Sequence, residues 1–275
     1  MLSARIEGIG FWANGLPSWE AARDFVARGA RPEQAPTKPS PQLLPPNERR
    51  RAPESVAVAL EVAQAACVAA GRDPATLPSV FASTHGDLPI TDYMCATLAS
   101  DPRAISPTKF HNSVHNAAAG YWTIGVGCLQ AATAISAYDA SFAEGLIEAL
   151  SQLRAGADAV LLVAYDTAAT GALRSVHDCD GLLGGALVLG RDTGQGRGPR
   201  LHADLRHLDP WRVDPPHVES HEPSAVDHRC ALMRHASSNA MAPMLPLFDA
   251  LARGQTMARL HAGPERRLTI ELTYD

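Results

Sequence analysis

The residues able to do chemistry gather in two stretches. The first is Ser106-Pro107-Thr108-Lys109-Phe110-His111-Asn112-Ser113-Val114-His115-Asn116-Ala117-Ala118-Ala119-Gly120, and the second is Ala137-Tyr138-Asp139-Ala140-Ser141-Phe142. The second lies between an apolar run that reads as a buried strand, residues 131–138, and one that reads as a helix, residues 142–154. A strand that turns sharply into a helix can hold a nucleophile in place, with the helix N-terminus stabilising negative charge beside it. The residue at this turn is Asp139. A carboxylate is a poor covalent carrier of acyl groups, because the mixed anhydride hydrolyses. Two other roles are open to it. Ser141-Phe142-Ala143-Glu144 has the pattern of a capping box, and an acid just before such a box gains about 0.3–1 kcal/mol from the helix dipole. Buried in an apolar tunnel, Asp139 would instead have a raised pKa and could act as a general acid or base, with His111 or His115 beside it.

His111 and His115 are four residues apart and would share one face if the stretch were helical, but no third metal ligand accompanies them. Asn112, Ser113 and Asn116 suit side-chain-to-backbone hydrogen bonds that hold a loop. The downstream histidines 202, 207, 217, 221, 228 and 235 stand near Asp204, Asp209, Glu219 and Asp227. Their irregular, proline-broken spacing reads as a solvated loop rather than a metal site, and no metal or cofactor is expected. No G-x-S-x-G, H-E-x-x-H or phosphate-binding loop occurs. Arg49-Arg50-Arg51 is the one basic cluster; it reads as a solvated charge run, or as a patch that steers an acidic partner. Trp12, Trp19, Trp122 and Trp211 read as core or interface packing.

With 275 residues the chain suffices for one large domain, and 46% hydrophobic with 19% charged residues fits an ordinary globular protein. A net charge of -5 argues against nucleic-acid binding. No run of 18 apolar residues predicts a membrane span, and the first residues lack a signal-peptide apolar core, so a cytoplasmic location is expected. The five cysteines, 67, 95, 128, 179 and 230, form no C-x-x-C pair and read mostly as small buried hydrophobes.

Strands are predicted at 5–12, 78–83, 131–138, 159–164, 184–189 and 267–273. Helices are predicted at 18–28 with Ser18 as N-cap, 54–70 stopped by Gly71, 90–98, 120–128, 142–154 and 238–253. Residues 30–53 read as a proline-rich surface excursion, and 200–235 as having little periodic pattern. Strand and helix alternate, which predicts an α/β layered fold.

Several blocks resemble β-ketoacyl synthases. Ser106 to Gly120, read on to Phe142, is similar to the segment that ends at their catalytic cysteine, whose place Asp139 takes. Arg5 to Gly10 looks like their first strand, Gly156 to Ala164 like the strand after the nucleophile helix, and Asp180 to Leu189 like the glycine-rich turn and strand closing their N-terminal half. More narrowly, the chain resembles the ketosynthase-like chain-length-factor subunits of aryl polyene and related pigment pathways. The resemblance implies a thiolase-like fold. Its N-terminal half, residues 1–190, would be complete. Residues 191–275 would be a strongly shortened C-terminal portion of a loop, one helix and one or two strands packing on the same domain. The H-G-T and G-H histidine motifs of full ketosynthases do not occur after Leu189. Condensation needs a thiolate and those histidines, so no catalytic residue is expected.

What the resemblance implies is a non-catalytic subunit. It would pair with an active β-ketoacyl synthase, receive chains on acyl carrier protein, and shape the tunnel in which a polyketide or fatty-acid-type chain grows. Phe110, His111, Asn112, Ser113, His115, Asn116, Tyr138, Asp139 and Phe142 are the implied tunnel and interface residues. The 111–115 segment would be extended or looped near a dimer interface whose strand is 131–138. The alternatives are a stand-alone acyl-thioester hydrolase or decarboxylase using Asp139 with a nearby histidine, and a homodimeric scaffold.

Overall fold

A computed structural model describes residues 2–177, 179–194, 196, 198–207 and 230–274. In chain order the elements are β1 (Leu2–Ala13), α1 (Trp19–Arg28), α2 (Pro46–Arg49), α3 (Glu54–Ala70), β2 (Ser79–Ala82), α4 (Leu88–Ser100), α5 (Pro107–Asn112), α6 (Ala117–Val126) and β3 (Ala132–Ile135). They continue with α7 (Ser141–Arg154), β4 (Ala159–Asp166), β5 (Leu183–Gly190), β6 (Arg200–His207), α8 (Ala231–Ala236), α9 (Leu245–Arg253), β7 (Met257–His261) and β8 (Arg266–Thr273). The strands form one sheet in the order β3-β2-β4-β5-β1-β6-β8-β7. β2 runs parallel to both β3 and β4, and every other neighbouring pair is antiparallel.

Helices cover both faces of the sheet. One apolar cluster joins α3 and α6 to one face; the other joins α1, α7, α8 and α9 to the opposite face. β4 and β5 lie at the middle and are buried along their whole length, as their near-continuous aliphatic sequences require. α3 is held unusually close. A Cβ at Gly8 would stand 2.2 Å from the Ala66 carbonyl oxygen, and one at Gly10 would stand 2.0 Å from that of Val62. The missing side chains of β1 and the alanines of α3 let helix and sheet backbones touch. α3 ends as its sequence predicts, with Gly71 left-handed at φ 63°. Ser18 caps α1 by accepting from Ala21 N at 3.2 Å.

Several sequence expectations are corrected. The 131–138 run is not a buried strand: β3 is four residues long, lies at the sheet edge and alternates exposed and half-buried positions. Small apolar residues specify a strand but not a second neighbour for it. Part of the 200–235 segment is ordered as β6, which pairs with β1 and β8 through Arg200-Leu201-His202-Ala203 and beyond. The dense charge masked an alternation in which Leu201 and Ala203 face the core. His202 and His207 therefore lie on a strand; His217, His221 and His228 fall outside the described residues. The helix expected at 238–253 starts at Leu245, after a short turn at Ala242–Met244. Among the described residues after 191 there are three strands, β6, β7 and β8, where one or two were expected, and they extend the first sheet through the β1–β6 pairing.

Candidate functional site

β3 ends at Ile135, and the chain turns through Tyr138–Ala140 directly into α7. Tyr138 adopts φ 56°, left-handed backbone that costs a bulky residue about 1–3 kcal/mol. The turn is tied on both sides. The Ser141 hydroxyl accepts from Ala137 N at 2.9 Å and donates to the Tyr138 carbonyl at 2.6 Å. Thr84 Oγ1 donates to the same carbonyl at 3.2 Å, and Ser136 Oγ donates to Thr84 O at 3.0 Å. The expected capping box does not form. Ser141 is spent on closing the elbow, and Glu144 is ion-paired to Arg266 at 2.7 Å. The chain thus makes a strand–turn–helix elbow, with its left-handed residue at Tyr138 and Asp139 next to it.

Asp139 is half-exposed, not sealed in an apolar tunnel, and its Oδ2 lies 3.2 Å from His261 Nε2. It borders an open groove of about 710 Å³ whose walls include Tyr138, Ile147, Glu148, Pro264 and Arg266. The histidine that reaches it comes from the end of β7, not from the 111–115 stretch. His115 Nε2 instead lies 2.8 Å from Ser83 O, and the His111 ring meets Tyr121 at 6.4 Å. Of the segment expected to be extended or looped, residues 111 and 112 end α5 and residues 113–116 form the turn into α6; Ser106 caps α5 through Lys109 N and Pro107 suits its first turn.

The other implied residues separate. Phe110 and Asn116 are exposed; Ser113 is half-buried and donates to Phe110 O at 2.8 Å. Asn112 is buried, with its side-chain oxygen unpartnered among the described residues. Phe142 points into the core against Phe248, ring centroids 6.2 Å apart. Its position one residue past a buried helix start turns it toward α9.

A second cluster, missed by sequence reasoning, sits at the carboxyl ends of β2 and β4. The buried Asp166 carboxylate accepts from Ser83 Oγ at 2.7 Å, Thr84 N at 2.9 Å and His85 N at 3.3 Å. Burial pushes its pKa up to about 6, against the downward pull of these hydrogen bonds. Asn239 Nδ2 donates to the carbonyls of Asp166, Asp180 and Gly181, each at 3.2 Å, and so fastens the C-terminal part to this end of the sheet. The rings of His85 and His177 lie 4.4 Å apart, with Tyr138 6.3 Å and 6.2 Å from them. Burial, and then the neighbouring His177, lower the His85 pKa. A carboxylate ending an otherwise apolar strand was the sequence signal for Asp166; His85 and Asn239 gave none. The cysteines add no chemistry here: 67, 128, 179 and 230 are buried, Cys95 is exposed, and burial pushes the Cys67 thiol up to about 12.

An α/β fold with a tied strand–turn–helix elbow, carrying Tyr138 and Asp139 rather than a cysteine, has the layout of a ketosynthase-type scaffold. Residues 19–244 match the family model described as the N-terminal domain of β-ketoacyl synthase, and the chain belongs to that family. No curated protein matches it. Among solved structures it is similar to a chain of the ketosynthase ApeO in complex with its chain length factor ApeC from Xenorhabdus doucetiae, with 22% identity, TM-score 0.73, and 98% of this chain and 100% of that one covered. It is also similar to a chain of the ishigamide ketosynthase/chain length factor, with 14% identity, TM-score 0.71 and coverage of 98% and 99%. A third similarity is to a chain of AntDE:AntF, a type II polyketide synthase acyl-carrier protein in complex with its ketosynthase, with 10% identity, TM-score 0.73 and coverage of 99% on both sides. At these identities the likeness establishes the fold over the whole length, the short C-terminal part included. Among the described residues no helix is long and apolar enough to cross a membrane.

Proposed function

We propose that the chain is a non-catalytic, chain-length-factor-type subunit. It pairs with an active β-ketoacyl synthase in a cytoplasmic polyketide or aryl polyene pathway and helps set where the growing acyl chain stops. The observation that carries this is the elbow itself. Left-handed backbone is kept at Tyr138 at some energetic cost, while Asp139 beside it is a half-exposed carboxyl group, 3.2 Å from His261 Nε2, that cannot form an acyl thioester. Whole-length likeness to chains from ketosynthase–chain length factor complexes supports the same reading.

The partner covers the β3 edge. Beside it Leu129 is 98% exposed and Ile124, on the neighbouring α6, 84%, apolar side chains that solvent would not favour leaving bare. Arg50 and Arg51, exposed beside α2, are the basic residues that would meet an acidic acyl carrier protein. Deleting the chain from its pathway is the test. Altered product length or lost yield is expected, and unchanged length and yield would sink the proposal.

The Asp139–His261 contact at 3.2 Å favours one other reading, a stand-alone thioester hydrolase or decarboxylase. Cleavage of an acyl thioester by the chain alone, abolished by Asp139→Asn, would establish it in place of the subunit role.

A further inference from the structure

His85 and His177 are far apart in sequence and stand together at the carboxyl ends of the parallel strands. Their ring centroids are 4.4 Å apart and the planes tilt by 47°. Both backbones are fixed: His85 N donates to Asp166 Oδ1 at 3.3 Å, and His177 N donates to Leu173 O at 2.9 Å. Three other histidines have a ring nitrogen engaged, His115 by Ser83 O, His235 by Asn14 O and His261 by Asp139. Neither imidazole of the 85–177 pair has a hydrogen-bond partner among the described residues, and both rings are half-buried.

We propose that His85 and His177 chelate an imidazole-preferring divalent cation of the Zn²⁺, Cu²⁺ or Ni²⁺ class, with Tyr138 at the rim and water completing the coordination. With metal–nitrogen bonds of about 2.0–2.1 Å, two imidazoles in neighbouring positions on one metal have centroids roughly 4.5–5 Å apart, close to the separation present here. Among the described residues no group of three or more His, Cys, Asp or Glu side chains is placed to hold a metal, so the site is open and two nitrogens supply its protein ligands. Bound there, a cation would join the loop after β2 to the segment after β4 and face the elbow at Tyr138. The proposal does not depend on the subunit reading.

The test uses the untagged full-length chain with Cu²⁺ as probe, read by electron paramagnetic resonance and spin-echo modulation, and Zn²⁺ by calorimetry. The expected result is one tight equivalent with a two-imidazole signature. His85→Gln or His177→Gln should each weaken it roughly tenfold or more and leave one imidazole, while His207→Gln, on the exposed end of β6, should change nothing. A first equivalent that keeps its affinity and signature in the double variant would overturn the proposal. Should the variants misfold, carbethoxylation of the wild-type chain reads the same site: Zn²⁺ should protect His85 and His177 selectively, and equal modification with and without Zn²⁺ would overturn it.

Discussion

The sheet has two free edges, and they are built differently. β7, at one end, shows Met257, Arg259 and His261 to solvent along an alternating strand. Charge of that kind discourages another strand from adding on. β3, at the other end, is Ala132-Thr133-Ala134-Ile135, without charge or proline, and exposed Leu129 and Ile124 lie beside it. Two strands of similar length in one sheet thus treat solvent in opposite ways. On the proposed subunit reading, the contrast puts partner contact at the β3 end and solvent at the β7 end.

The largest expected effect breaks this contrast directly. Leu129→Asp with Ile124→Asp should leave the isolated fold almost unchanged, since both side chains are outside it, yet weaken the complex with the ketosynthase roughly 100-fold. Met257→Asp on β7 should leave association unaltered. Titration calorimetry on the three proteins checks both halves; equal losses at the two edges would erase the distinction.

Between the edges the sheet must stay in register. Gly10→Ala pushes a methyl into the α3 backbone and should destabilise the fold by about 1–3 kcal/mol or more, read as a lower denaturation midpoint without loss of partner specificity in the folded fraction. Much of this centre was legible in the sequence. The alanine-rich run closing at Gly71 and the aliphatic run of β4 identified themselves, because burial on both sides leaves an unambiguous composition. The elbow was legible as well. β3 was misread because a small apolar strand looks the same whether its neighbour is its own chain or another's. Ser141 and Glu144 fitted a capping pattern, but other partners, the Tyr138 carbonyl three residues back and the distant Arg266 from β8, claimed them. The 85–177 histidine pair and the Asn239 clasp depend on loops meeting across the fold, which no local spacing records.

Asp166 gives a smaller effect with a defined sign. Its folded pKa, about 6, lies above the ordinary carboxyl value of 3.8, so its favourable contribution is complete below the unfolded pKa and is lost as pH rises through the folded one. The stability of the wild-type chain relative to Asp166→Asn should therefore fall by up to about 3 kcal/mol between pH 4 and pH 7, measured by urea unfolding. A difference independent of pH would show that the carboxylate is not held in the way described. This end of the sheet positions the elbow, so its effect should appear in stability before it appears in assembly.

The smallest effect belongs to Asp139. Its contact with His261 is solvent-exposed, and Asp139→Asn should alter stability by less than about 1 kcal/mol and leave both association and product length unchanged. A large loss of product would move the chemistry back to the elbow and away from the β3 edge.

The most direct measurement is the native mass of what co-purifies when this chain is expressed with an active β-ketoacyl synthase from the same source. A stable one-to-one complex, dissociated by the Leu129→Asp and Ile124→Asp pair, is the expected result. A well-behaved monomer or homodimer that leaves the ketosynthase unbound would contradict the subunit role.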